Sequence, residues 1–221
     1  MLNRIKVGNQ NLTLKKFKKI AVINCGAGNI GSVINALKFL EYEPVLLDNP
    51  ENKTNYSHLI LPGVGAFGKI AENLKNNGFY NYISNHINGG NYLLGICVGM
   101  QMLFKESEES DFVKGLCLID AKIKRFSFSK SNKLPIPHVG FASVDSPKSL
   151  IFNGISAKSF FYFIHSYRVK EIKENIKIGK SIYGEEFISY VEKDNVFGSQ
   201  FHPEKSHKNG LKFLNNFLNL K

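Results

Sequence analysis

The segment Leu93-Leu94-Gly95-Ile96-Cys97-Val98-Gly99-Met100-Gln101 decides how this chain reads. An apolar run ends in Gly-x-Cys-x-Gly, and a helix-favouring stretch (Met100, Gln101, Met102, Leu103, Phe104) follows at once. The pattern predicts a strand that enters a sharp turn, presents one reactive side chain and leaves as a helix. Each glycine has a steric reason: the turn strains its central residue, and a Cβ at Gly95 or Gly99 would collide with neighbouring chain. A cysteine at a helix N-terminus also gains from the helix dipole, which favours the thiolate. Taken alone, the same letters also fit a buried structural cysteine beside two turn glycines. A base far downstream is needed to decide.

Such a base stands in Val196-Phe197-Gly198-Ser199-Gln200-Phe201-His202-Pro203-Glu204. A strand pattern runs straight into His-Pro-Glu, and a helical pattern over about 206–220 closes the chain. Proline ends the strand and fixes its own φ, which sets the geometry between histidine and glutamate. His202 can then serve as general base to Cys97, while Glu204 orients the imidazole and stabilises its cation. A strand end with a polar turn would explain His-Pro-Glu alone. It does not explain the pairing with Gly-x-Cys-x-Gly.

Upstream, residues 20–24, 45–47 and 57–61 read as short buried strands separated by helical patterns. Right-handed crossovers would then give a parallel sheet whose ligands gather at the carboxyl ends of its strands. That geometry sets Gly63-Val64-Gly65 beside Cys97, where a glycine-rich loop can aim backbone N–H groups at a developing oxyanion. His58, inside an apolar run, is expected to be a packed core histidine. Helical patterns at 66–75 and 80–87 lead back to the elbow strand. The acidic run Glu106, Glu108, Glu109 and Asp111 is expected to be a solvated loop. From Gly115 onward, alternating runs at 116–123, 139–144, 159–169, 177–183 and 187–192 predict largely antiparallel strands added to the parallel sheet.

One stretch competes with this reading. Gly26, Gly28 and Gly31 spell G-x-G-x-x-G between a strand and a helix, and Asp48 ends the next strand, as in a dinucleotide fold. An NAD(P)-dependent oxidoreductase would account for these residues. It leaves Gly-Ile-Cys-Val-Gly unexplained.

Bulk properties set the frame. A length of 221 residues, 43% apolar and 21% charged, suits one α/β domain over 20–221 behind a basic extension at 1–19. Cys25, Cys97 and Cys117 are odd in number and widely spaced. That is neither a disulfide framework nor a metal pattern, and it fits a reducing cytoplasm. No apolar run approaches the ~18 residues of a membrane span. Six of the net +11 charges fall in the extension, and the remainder is dispersed, so no nucleic-acid partner is expected.

The pair Gly-Ile-Cys-Val-Gly-Met-Gln (95–101) and Gln-Phe-His-Pro-Glu (200–204) resembles class I (triad) glutamine amidotransferases. Gly28-Asn29-Ile30, Leu-Pro-Gly-Val-Gly-Ala-Phe (61–67), Pro137-His138-Val139-Gly140, Phe-Tyr-Phe-Ile-His-Ser-Tyr (161–167) and Tyr183-Gly184-Glu185 narrow the match. They look like the glutaminase subunit of imidazole glycerol phosphate synthase, from about Ile20 to the C-terminus. The resemblance implies a three-layer, flavodoxin-like α/β fold with a parallel central sheet and added antiparallel strands. It also implies hydrolysis of the glutamine amide through a thioester on Cys97, with His202 as base and Glu204 as its orienter. The ammonia would pass to a (β/α)8-barrel partner, without metal or organic cofactor.

Further roles follow from the same resemblance. Gly63, Val64 and Gly65 would supply oxyanion and substrate-loop amides. Gln101 and Glu109 would face the glutamine, Glu109 pairing its α-ammonium, while Ser166 and Tyr167 meet its α-carboxylate. Asn29, Pro137, His138 and Phe141 would face the partner, and the G-x-G-x-x-G would be an interface loop. The family usually has Trp-Asn where this chain has Phe141-Ala142, and commonly Asp-Tyr-Gly where it has Asn24-Cys25-Gly26. These departures leave two destinations for the ammonia, histidine biosynthesis or amidation of a surface-polysaccharide sugar.

Overall fold

Five short strands run parallel and edge to edge through the centre of the molecule, and the elbow segment is the fourth of them. A computed structural model describes residues 18–26, 28–50, 55–128 and 134–221. Apart from Lys18 and Lys19, the expected basic extension therefore lies outside the described residues.

The strands, in chain order, begin with β1 (Ile20–Ile23), β2 (Val45–Leu47), β3 (His58–Leu61), β4 (Tyr92–Ile96), β5 (Phe104–Ser107), β6 (Ser110–Lys114) and β7 (Ile119–Arg125). They continue with β8 (His138–Val144), β9 (Ser159–His165), β10 (Tyr167–Val169), β11 (Lys177–Tyr183), β12 (Glu185–Lys193) and β13 (Val196–Ser199). The helices are α1 (Ile30–Phe39), α2 (Phe67–Asn76), α3 (Phe79–Asn88), α4 (Val98–Gln101) and α5 (His207–Leu218).

Among the described residues, eleven strands form one sheet, in the order β2-β1-β3-β4-β13-β12-β10-β7-β5-β6, with β11 paired to β12. From β2 to β13 every pairing is parallel. All residues of β1, β3 and β13 are buried, as expected for parallel strands covered on both faces. The covering helices bury one stripe each. In α2 it is Phe67, Ile70, Ala71 and Leu74, and in α5 it is Gly210, Phe213, Leu214, Phe217 and Leu218. Beyond β13 the pairings through β12, β10 and β7 turn antiparallel.

Three expectations need correction. The elbow helix is a single turn: Met102 and Leu103 offer their carbonyls to Leu116 and Leu118 (2.7 and 2.9 Å), which pulls the chain into β5. The acidic run is an ordered hairpin, β5–β6, whose turn caps α2 from a distance. Phe67 N–H donates to Glu109 Oε2 at 2.8 Å and Gly68 N–H to Ser110 Oγ at 3.0 Å. Finally, among the described residues β8 and β9 form a separate two-stranded ribbon, tied to the rest by a single β-bridge between Tyr162 and His202. The single run expected at 159–169 breaks at Ser166, so that β9 joins the ribbon and β10 the main sheet.

The elbow itself is a backbone-on-backbone contact. A Cβ on Gly99 would sit 1.8 Å from the Leu61 carbonyl oxygen, and one on Gly95 would sit 2.4 Å from that of Gly99. Neither obstacle is a side chain that could swing aside. Gly31, by contrast, has open space where its Cβ would be. A dinucleotide fingerprint needs its third glycine for close helix–strand packing, and that need is absent here.

Core histidines form a second feature. His58 stacks on Tyr92 (5.0 Å), meets Phe217 edge-on (5.1 Å) and pairs through Nδ1 with Ser57 Oγ at 2.9 Å. Inside the ribbon, His138 Nδ1 lies 3.3 Å from His165 Nε2, and His165 Nδ1 lies 2.8 Å from the Tyr167 carbonyl. The carbonyl can only accept, so His165 carries its proton on Nδ1 and takes one from His138 on Nε2. Burial holds all three below the ordinary value, His58 and His165 to about 3 and His138 to about 4.

Two predictions follow from these contacts. Gly99→Ala should cost about 3 kcal/mol or more in thermal or chemical unfolding, whereas Gly31→Ala should be neutral or stabilising by about 0.5–1 kcal/mol. A stable Gly99→Ala protein would contradict the packing described. The second concerns acid. Unfolded histidines take up protons near pH 6.5 and the buried three do not until about 3 to 4, so their contribution is complete above pH 6.5. It is lost progressively as pH falls through that window. His58→Asn, which keeps a partner for Ser57 but does not titrate, should flatten the fall in denaturant midpoint between pH 6.5 and 4.5.

Candidate active site

Cys97 follows β4 directly, with φ 55° and ψ −110°, a conformation that side-chain-bearing residues rarely adopt. Its N–H donates to the Ser199 carbonyl of β13 at 2.7 Å, and its carbonyl accepts from Gln101 N–H at 3.1 Å. The side chain is thereby thrown above the carboxyl end of the sheet, as the strand–turn–helix pattern demands. The next N–H, that of Val98, donates to the Gly63 carbonyl at 3.2 Å. This contact ties the loop after β3 to the elbow.

His202 lies three residues past β13. Its N–H donates to the Tyr162 carbonyl (2.8 Å), and its carbonyl accepts from Ser206 Oγ (2.6 Å). The single 3-10 turn Pro203–Lys205 then folds Glu204 back onto its own neighbour. His202 Nδ1 and Glu204 Oε1 are 2.7 Å apart, both side chains almost fully buried. A carboxylate accepts, so Nδ1 carries the proton and Nε2 is left to face the sulfur. Asn29 Nδ2 donates to the same Glu204 oxygen from the start of α1. Burial acts to lower the His202 value, but the Cys97 sulfur and then Glu204 outweigh it and raise it to about 10. The surroundings of His202 thus favour its cation.

The sulfur opens on a cleft of about 190 Å³. Val64, Gly65, Gln101, Glu109, Pro137, Ser166 and Tyr167 line it along with Cys97. The residues that the resemblance assigned to glutamine thus share one small hollow, apart from Gly63, which packs against Gly99 behind it. Glu109 arrives there on the β5–β6 turn, and Ser166 on the break between β9 and β10. A larger hollow of about 800 Å³ between α2 and β6 contains neither Cys97 nor His202.

The four residues expected at an interface divide. Phe141 is exposed on the outer face of the ribbon, stacked on His207 at 5.4 Å. Pro137 borders the cleft. His138 is turned inward, 3% exposed and stacked on Tyr183 at 4.0 Å, because alternation along β8 puts it opposite to Val139. It offers no side chain to a partner. Asn29 spends its amide on Glu204 rather than pointing outward. Asp48, the ribose candidate, accepts from Asn24 Nδ2 at 2.7 Å.

Sequence reasoning passed over Gln200. It is fully buried, and its Nε2 lies 3.7 Å from Cys97 Sγ. The signal was present: it stands two residues before His202, and an extended backbone turns both to one side.

Comparison with known proteins agrees with this geometry. The sequence profile of the family Glutamine amidotransferase class-I matches residues 21–220. The imidazole glycerol phosphate synthase subunit HisH of Chlorobium chlorochromatii is 42% identical over 203 residues, covering 91% of this chain and 100% of that one. The protein of the same name from Helicobacter hepaticus is 40% identical over 216 residues, covering 91% and 98%. Among solved structures, a chain of PurLQS from Thermotoga maritima superimposes with a TM-score of 0.70 at 21% identity, covering 91% of this chain and 98% of its own, a likeness of fold. The chain belongs to the class I glutamine amidotransferases and, within them, to the family of imidazole glycerol phosphate synthase HisH subunits.

Proposed function

We propose that this chain is the glutaminase subunit of an imidazole glycerol phosphate synthase, acting in the cytoplasm on the histidine pathway. Its ammonia would go to a (β/α)8-barrel synthase subunit. The observation that carries the reading is Cys97 on a cleft with the buried, hydrogen-bonded His202–Glu204 pair behind it, in a chain with full-length HisH relatives. Their shared name favours this destination over sugar amidation.

The chemistry follows from the positions. The Cys97 thiolate attacks the side-chain carbonyl carbon of glutamine, and the carbonyl π electrons move onto oxygen. As that intermediate collapses, the C–N bond breaks and His202 Nε2–H protonates the departing nitrogen, leaving a γ-glutamyl thioester and ammonia. His202, now neutral, takes a proton from water, whose oxygen attacks the thioester and releases glutamate. Glu204 keeps the imidazole in the needed tautomer throughout. Both Gln101 N–H groups are spent, on the Tyr167 carbonyl (3.2 Å) and Gln200 Oε1 (3.0 Å), so only its oxygen is left for the substrate. Glu109 would hold the α-ammonium, and Ser166 and Tyr167 the α-carboxylate.

The oxyanion needs donors, and the elbow's natural one is engaged. The N–H after the nucleophile commonly serves this role, yet Val98 N–H is bound to the Gly63 carbonyl at 3.2 Å. The Gly63–Gly65 loop must therefore shift to free it, and Gly65, at φ 144°, has the backbone freedom to do so. A partner supplies the reason to shift. The outer face of the ribbon, with Val139, Phe141, Phe160 and Ile164 exposed beside the cleft, is an apolar surface suited to the barrel subunit. Gly28 N–H donates to the Val64 carbonyl (3.2 Å) and its neighbour Asn29 donates to Glu204, so a contact on this loop reaches both the Gly63–Gly65 loop and the triad.

Two outcomes test this reading. Cys97→Ala should abolish glutamate production while the protein remains folded, whereas Cys117→Ala should retain the parent rate in a glutaminase assay with the barrel subunit. An active Cys97→Ala protein removes the nucleophile assignment. In the second test, the isolated subunit should turn over glutamine slowly and gain roughly 10²–10³ in rate with its barrel partner and the partner's ligand, the worth of one oxyanion donor. Full activity without a partner would mean that the engaged Val98 N–H is no obstacle.

A further inference from the structure

From the cleft wall inward to the Cys97 sulfur, polar groups form a line. The Tyr167 carbonyl accepts from Gln101 Nε2 at 3.2 Å, Gln101 Nε2 also donates to Gln200 Oε1 at 3.0 Å, and Gln200 Nε2 lies 3.7 Å from Cys97 Sγ. Gln101 is 2% exposed and Gln200 is 0% exposed, so water does not scramble these contacts.

The line has one permitted polarity. A backbone carbonyl only accepts, so the Gln101 group that faces Tyr167 is its NH₂. The second hydrogen of that NH₂ points at Gln200, so the Gln200 atom there is its oxygen. The Gln200 NH₂ is then the group directed at the sulfur. A single main-chain oxygen thus sets the orientation of two side chains and decides what the nucleophile meets.

An N–H donor discriminates between the two states of a cysteine. A thiolate is a good acceptor and a thiol a poor one, so the contact favours ionisation. Other groups around the sulfur pull in different directions. The His202 imidazolium, which follows β13, favours the thiolate. The Ile164 carbonyl of β9, 3.8 Å away, favours the thiol by accepting its proton. Glu204 lies behind His202, while Glu109 from the β5–β6 turn and His165 from β9 border the cleft. Of these neighbours, Gln200 supplies the uncharged donor, and it does so in a fixed orientation.

We propose that Gln200 is a thiolate-stabilising donor to Cys97, held in its donating orientation by the Tyr167 carbonyl through Gln101. The proposal rests on the reading of Cys97 as nucleophile. It gives Gln101 a positioning role alongside its place at the substrate. It also makes the nucleophile's ionisation sensitive to the β9–β10 corner, since Tyr167 begins β10.

The test measures alkylation of Cys97 by iodoacetamide between pH 5 and 9 on the full-length chain, with peptide mass mapping. Exposed Cys117 serves as the reference in the same tube. Gln200→Met removes both polar ends at similar length without adding charge and is the deciding variant; Gln200→Glu keeps the acceptor for Gln101 but sets a carboxyl group where the donor was, so its shift includes a charge effect. For each variant the midpoint of Cys97 alkylation should move up by about one pH unit, so that the reaction near pH 6.5 is about tenfold slower. Cys117 should be unaffected. A variant profile that superimposes on the parent overturns the role of Gln200 and leaves the nucleophile standing. Parent Cys97 reacting no faster than Cys117 overturns both together.

Discussion

The reactive centre depends on two stretches of main chain touching with no side chain between them. Gly99 lies against the Leu61 carbonyl so closely that a methyl group would be 1.8 Å from its oxygen, and this seats the elbow on the end of β3. From that seat, Val98 N–H reaches Gly63 and Cys97 N–H reaches Ser199. The backbone of Cys97 stores strain on the order of 1–3 kcal/mol. It persists because fully buried strands on either side of β4 leave the turn nowhere else to go. Stability gathered in the parallel sheet is used to hold one residue in a posture it would not choose.

Charge follows the same logic of mutual constraint. An isolated ion this deep would cost several kcal/mol in lost hydration. Here the sulfur, the imidazole and the carboxylate each make the others tolerable, which is why His202 is raised to about 10 although burial alone would lower it. Asn29 brings a second donor to Glu204, and Gln200 one to the sulfur, from opposite ends of the chain. The site is therefore assembled by folding rather than by any local segment.

What could be read beforehand, and what could not, divides along this line. The parallel half was legible because strands buried on both faces are continuous apolar runs. The elbow and His-Pro-Glu were legible because their chemistry needs particular residues at fixed spacing. The acidic run misled, since the amides that order its turn belong to Phe67 and Gly68, each 42 residues from its partner. The one-turn helix and the break at Ser166 were hidden for the same reason: the carbonyls of Met102 and Leu103 accept from Leu116 and Leu118, and that of Ser166 accepts from Phe126 N–H (3.1 Å), partners outside the local stretch. The inward turn of His138 was not legible, because it depends on its phase in β8, opposite to Val139.

The β8–β9 ribbon has a consequence for how such a protein can change over time. Its register pairs Val139 with Ile164 and Phe141 with Tyr162 on one face, and His138 with His165 on the other. The inward set is locked into a crowded aromatic core around Phe163 and Phe187, where each ring constrains the next. The outward set is free of that inner packing, so it can change residue by residue, within what its outer contacts demand, without disturbing the sheet. Single substitutions such as Phe141 in place of a larger ring are therefore cheap. An insertion of one residue is not, because it would exchange the two faces at once and bury the variable set in the core.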